Sequence, residues 1–185
     1  MNNVMIDLET MSTEPTAAIL SIGAVTFDIE IRAITGRFYQ NISLSSCILL
    51  GLHKSQSTLD WWAKDENKAA RDALTKDAVD IREGLRRFID WCEGPNKDEV
   101  IPWSNGAVFD IPIIKHAMHA CYLKEPWKFY NESCYRTLKR LYPQIIPPSR
   151  AGLTKHNALD DSIFQATHLM NILSAIKVSE EVTTR

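Results

Sequence analysis

Val4-Met5-Ile6-Asp7-Leu8-Glu9-Thr10 begins with three apolar residues, followed by two acids spaced two apart. In a strand, alternate side chains share a face, so Asp7 and Glu9 point the same way, roughly 7 Å apart. The apolar run places this strand centrally in a sheet, with the acids at its exit. Two carboxylates held this way repel each other and are costly if buried unpaired. A divalent cation removes that cost, and hard oxygen ligands suit Mg2+ or Mn2+. A solvated strand end is the plainer alternative for the pair taken alone.

Further strands follow. Residues 17–27 are apolar and β-branched around Gly23, and residues 34–42 place β-formers at alternate positions. The polar turn Ser12-Thr13-Glu14-Pro15 joins the first two strands. From Ser57 the spacing becomes helical, with Ser57 or Thr58 as N-cap and a helix to about Leu74. A second helix spans residues 79–92 and ends at Gly94-Pro95. Residues 100–103 read as a strand, 110–122 as a helix, 127–130 as a short strand and 134–142 as a helix. A last helix runs from after His156 to about Lys177, and the polar tail 178–185 frays. Three strands followed by helices alternating with strands predict a mixed sheet covered by helices, an α/β domain spanning residues 1–177.

Two more acidic stretches stand out. Ser104-Asn105-Gly106-Ala107-Val108-Phe109-Asp110 follows the fourth strand and opens a helix with Asp110 at its start, where an ordinary N-cap would also account for it. His156-Asn157-Ala158-Leu159-Asp160-Asp161 leads into the last helix. The core stripe of that helix is Leu159, Ile163, Ala166, Met170 and Leu173. Asp161 falls on a second arc with Ala158, Gln165, Leu169 and Ile172, which is itself largely apolar. His156, five residues earlier, is placed to act as a general base. Four carboxylates exceed what one structural Mg2+ needs and suit two ions roughly 3.5–4 Å apart.

Composition sets outer limits. The 185 residues are 45% hydrophobic, enough for one core, and the net charge of −2 does not announce a nucleic-acid binder. Cys47, Cys92, Cys121 and Cys134 form no CxxC pair and predict reduced thiols in a cytoplasmic protein. The N-terminus lacks a signal-peptide pattern. No apolar run approaches the ~20 residues that span a bilayer. HExxH, Walker-type and GxSxG motifs are absent.

Asp7-Leu8-Glu9-Thr10, Asn105 to Asp110 and His156 to Asp161 resemble, in order, the three motifs of the DEDDh 3′→5′ exonucleases. Lys54-Ser55-Gln56-Ser57-Thr58-Leu59-Asp60-Trp61-Trp62 is similar to a segment of phage- and prophage-type members related to an exoribonuclease-like domain. The resemblance implies a ribonuclease H-like fold of about five strands flanked by helices. It implies two Mg2+ or Mn2+ ions per site and release of nucleoside 5′-monophosphates from a 3′ end of DNA or RNA. It casts Asp7, Glu9, Asp110 and Asp161 as metal ligands and His156 as general base, with Asp160 extra. It also makes Thr10 and Met11 candidates for touching substrate; Asn105 is a further candidate, and Phe109 is a candidate stacking platform with a core residue as the plainer alternative. The stretch Ser133-Cys134-Tyr135-Arg136-Thr137-Leu138 departs from relatives in lacking their Asp-Thr.

Trp61 is a candidate for stacking on a base, with core or a dimer contact as the alternative for it or Trp62. Residues 136–155 hold Arg136, Lys139, Arg140, Arg150 and Lys155 and no acid, either a rim that guides a phosphate backbone or a solvated helix face. A homodimer comes from the family alone. A catalytically silent nucleic-acid-binding domain and a small-phosphoester hydrolase are the competing readings.

Overall fold

The computed structural model describes residues 2–94, 99–106 and 108–183, with side chains as far as residue 177. The elements in chain order are β1 (Asn2–Thr10), β2 (Ile19–Asp28), β3 (Ala33–Asn41), α1 (Leu44–Leu49), α2 (Gln56–Trp62), α3 (Lys68–Ala73) and α4 (Ile81–Glu93). They continue with β4 (Val100–Ser104), α5 (Asp110–Ala120), β5 (Ser133–Cys134), α6 (Tyr135–Leu141) and α7 (Ala158–Thr183). The sheet order is β3-β2-β1-β4-β5. β1 pairs antiparallel with β2 and parallel with β4, so it lies in the middle, as its apolar start predicts.

Alternation along β1 sorts the core onto two faces. Val4, Ile6 and Leu8 enter a large cluster with Leu85 and Phe88 of α4 and Ile113 and Ile114 of α5. Met5 enters a second cluster with Val25, Phe27 and Leu169 and Ile172 of α7. By the same parity Asp7 and Glu9 lie on the α7 side.

α7 reaches that side through Gly23, the β2 partner of Asp7. A Cβ on Gly23 would sit 2.0 Å from the carbonyl carbon of Ala158 and 2.2 Å from the nitrogen of Leu159. The first turn of α7 therefore rests on bare backbone, directly across from the acids.

Several boundaries differ from the sequence reading. The helix expected from Ser57 to Leu74 is two, α2 and α3. Asn67 donates to the carbonyl of Trp61 at 2.7 Å and Arg71 donates to that of Trp62, so side chains take the carbonyls that a continuing helix would use. The cap is Ser55, whose Oγ accepts the N–H of Thr58 at 3.3 Å. The sequence reading missed α1. Residues 127–130 hold no regular strand; Phe129–Asn131 is a 3-10 turn and the fifth strand is Ser133–Cys134. On α7, Ala158, Asp161, Gln165, Leu169 and Ile172 are buried, while Leu159, Ile163 and Leu173 of the expected core stripe are only partly so. α7 continues to Thr183 where an end near Lys177 was expected. Pro95, Ala107, Thr184 and Arg185 lie outside the described residues. Cys47, Cys92 and Cys121 are buried thiols outside any disulfide. Among the described residues no helix is long and apolar enough to cross a membrane.

Candidate active site

Three elements bring acids to one cleft of about 640 Å3, lined by Asp7, Glu9, Asp110, His156 and Asp161 among others. β1 supplies Asp7 and Glu9. α5 supplies Asp110 in its first turn, with Phe109 at the N-cap position rather than Asp110. Oδ1 of Asp110 accepts the N–H of Leu8, the residue between the two strand acids, at 3.1 Å. α7 supplies Asp161, whose Oδ2 accepts the N–H of His156 at 3.0 Å. Asn157 caps α7 by accepting the N–H groups of Leu159 and Asp160, both at 3.1 Å. His156 just before it takes a left-handed backbone, φ 59°, a conformation that costs a side-chain-bearing residue about 1–3 kcal/mol.

Glu9, His156 and Asp161 offer ligand atoms that all lie within 4.8 Å of one another. Burial pushes the Asp7 carboxyl well above the usual range, and Asp110, Glu9 and Asp161 push it further; an N–H of Gln165, donated at 2.6 Å, opposes this. Burial, then Asp161 and Asp110, pushes Glu9 up to about 8. Burial also pushes Asp110 up, to about 7, against the N–H of Leu8 and the charge of Arg136. An all-carboxylate donor set that repels itself fits a hard divalent cation. Oδ1 of Asn105, in the same cleft, is buried without a hydrogen-bond partner among the described residues.

These shifts have a sign. A carboxyl whose folded value lies above its unfolded value holds its proton more tightly in the folded chain. That favours folding below the unfolded value and is lost as pH rises through the folded one. Glu9 rises from 4.5 to about 8 and Asp110 from 3.8 to about 7. In EDTA the melting temperature is therefore expected to fall between about pH 5 and 8. The increase produced by Mn2+ should grow over the same interval. Calorimetry at four or five pH values checks this; a flat melting temperature with a constant Mn2+ effect would contradict a shared acid site.

The substrate candidates separate. Trp61, Asn105 and Phe109 line the cleft, and the Trp61 ring meets His156 edge-on at 4.8 Å. Trp62 is buried, and its indole N–H donates to the carbonyl of Thr10 at 3.0 Å. Thr10 lines the cleft but its hydroxyl donates to the carbonyl of Ser12 at 2.7 Å. Met11 lies in the core, away from the cleft. Strand parity would group it with Asp7 and Glu9, but the pairing register shifts between Glu9 and Thr10 and the parity ends there. Of the basic segment, Arg136, Lys139, Arg150 and Lys155 line the cleft and Arg140 does not. Asp160 faces the loop, accepting the N–H of Thr154 at 2.8 Å.

Sequence reasoning assigned no role to Gln165, which holds Asp7. Its signal was a lone amide, four residues after Asp161, in an otherwise apolar arc. Gly23 was noted without its consequence.

The family described as "3'-5' exoribonuclease Rv2179c-like domain" matches residues 2–173, a span that includes all five residues. The chain belongs to this family of DEDDh 3′→5′ exonucleases. The expected ribonuclease H-like α/β fold is borne out with it. A relative from Enterobacteria phage T4, an "Exodeoxyribonuclease", is 26% identical over 74% of this chain and 70% of its own. Among solved structures, the nuclease domain of 3'hExo, a DEDDh family member bound to rAMP, has a TM-score of 0.62 at 16% identity, covering 94% of this chain and 92% of that one. E. coli Exonuclease I in complex with a dA16 oligonucleotide has a TM-score of 0.60 at 16% identity, and the match covers 94% of this chain but 41% of that one. In the stretch that lacks Asp-Thr, Tyr135 and Arg136 open α6, and both line the cleft. Gly106, at φ 143°, makes room there: a Cβ on it would lie 3.1 Å from the Arg136 guanidinium carbon.

Proposed function

We propose that this exonuclease shortens DNA or RNA from the 3′ end, releasing nucleoside 5′-monophosphates, with Asp7, Glu9, Asp110 and Asp161 as metal ligands and His156 as general base. The observation that carries the reading is the convergence of four mutually repelling carboxylates and one histidine in a single cleft. When bound there, two Mg2+ or Mn2+ ions would offset the charge that develops on the attacking and leaving oxygens.

The residues supply the rest. An imidazole nitrogen of His156 takes a proton from the attacking water as it adds to the terminal phosphorus. The bond from phosphorus to the 3′-oxygen of the preceding nucleotide breaks with its electron pair on that oxygen, which takes a proton from solvent water to become a hydroxyl, while His156 returns its own proton to solvent. His156 is assigned as base rather than ligand because oxygen donors suit these cations better than imidazole. Trp61 fixes the imidazole from the side. Arg136, Lys139 and Lys155, which line the cleft, would face the phosphate backbone.

The test uses 5′-labelled DNA and RNA oligomers of one sequence with Mn2+. Stepwise shortening from the 3′ end that stops in EDTA is expected. His156→Ala should lower turnover about a hundredfold or more and leave oligomer affinity nearly unchanged. Cleavage confined to small phosphoesters, binding without cleavage, or undiminished turnover in the variant would each contradict the reading.

A further inference from the structure

Asp161 is held from two sides. Its Oδ2 is taken by the backbone N–H of His156, and its Oδ1 meets Nη1 of Arg150 at 2.6 Å. Asp161 is 9% exposed, so this is an ion pair with little solvent around its acid. The Arg150 guanidinium also lies 4.0 Å from the centre of the Phe164 ring, one turn further along α7.

Arg150 comes from the loop between α6 and α7. That loop is anchored before it at Ile145, whose carbonyl meets Nε2 of His168 at 2.8 Å. A carbonyl only accepts, so Nε2 carries the proton, and Nδ1 of His168 accepts the hydroxyl of Tyr135 at 2.7 Å. The loop is closed after Arg150 by the N–H of Leu153 on the Arg150 carbonyl at 2.9 Å. Ser149, Ala151 and Gly152 are exposed. The backbone is thus tied at both ends while the arginine side chain has solvent beside it.

We propose that Arg150 competes with a divalent cation for Asp161 and, once displaced, binds a phosphate of the incoming strand. This rests on the metal-site reading above. Two cations cannot share one carboxylate oxygen cheaply, because their repulsion at that range is strong away from bulk water. The displaced guanidinium stays in a cleft whose other cations, Arg136, Lys139 and Lys155, already favour a polyanion. Its planar fork matches two phosphate oxygens at once, which a lysine cannot do. Metal and phosphate binding are thereby coupled: the affinity that Arg150 takes from the cation it returns to the substrate.

The test reads binding rather than turnover. Mn2+ is titrated calorimetrically into the wild type, Arg150→Gln and Arg150→Ala without nucleic acid. Adenosine 5′-monophosphate is then titrated into each Mn2+-loaded protein. Both variants are expected to bind Mn2+ about tenfold more tightly, and the nucleotide about tenfold more weakly, within the usual span of such couplings. The glutamine variant keeps much of the side chain over Phe164, so agreement between the two excludes lost packing as the cause. Unchanged or weaker Mn2+ binding in Arg150→Gln, beside a wild type that binds it, overturns the competition. Tighter Mn2+ with unchanged nucleotide affinity overturns the transfer to phosphate. A wild type that binds no Mn2+ overturns the metal-site reading, and the competition with it.

Discussion

Asp7→Asn is expected to lower turnover about a thousandfold or more while raising the melting temperature of the EDTA-treated protein. The two effects share one cause. Asp7 sits where burial, Asp110, Glu9 and Asp161 all oppose its negative charge. An amide removes that charge without removing its partner, since the new oxygen still accepts the Gln165 N–H that Asp7 accepts at 2.6 Å. Its NH2 meanwhile offers donors to the remaining carboxylates. The apo fold gains what repulsion had cost, and each kcal/mol is worth about 2–4 °C in a chain of this size. The cations lose a charged ligand. Losing ~4 kcal/mol of transition-state stabilisation corresponds to about three orders of magnitude in rate. Kinetics with Mn2+ and calorimetry in EDTA read both effects. Wild-type turnover, or a lowered apo melting temperature, would refute the shared site.

Gly23→Ala is expected to be the most damaging exchange outside the acids. The new Cβ falls 2.0 Å from the carbonyl carbon of Ala158, a backbone atom that no rotamer change can move. α7 must lift from β2, at a cost of about 3 kcal/mol or more. The lift separates Asp161 and His156 from Asp7 and Glu9, and a misplacement of about 1 Å costs roughly a hundredfold in rate. The variant should melt several degrees lower and, at temperatures where it stays folded, turn over at least a hundredfold more slowly. Circular dichroism and the labelled-end assay check this together. A variant with wild-type melting and turnover would show that α7 does not need that seat.

The three acidic stretches were legible because each is local. Strand parity puts Asp7 and Glu9 on one face, and a helix start follows each of the other two motifs. The central position of β1 was legible from its apolar run, and the family resemblance rested on the same residues. What escaped lies between elements distant in the chain. Gln165 meets Asp7 across 158 positions, and only the seating of α7 on Gly23 brings them together. The break between α2 and α3 depends on Asn67 and Arg71 reaching back to carbonyls, which helical periodicity cannot register. Met11 escaped because one slipped pairing between Glu9 and Thr10 reversed the faces for the residue after the strand. On α7 both arcs are apolar, so the pattern could not say which was the more deeply buried until the sheet beneath was in place.

The pairing of Asp7 and Glu9 on β1 with His156 and Asp161 at the start of α7 has a further consequence for a proposed nuclease. A ribosome makes the first two acids early and the last residues about 150 positions later. Until α7 has emerged and settled on Gly23, the nascent chain holds Asp7, Glu9 and Asp110 without His156 and Asp161 beside them. On the function proposed above, the cutting centre is assembled only by that seating and not by any single stretch of the chain as it emerges.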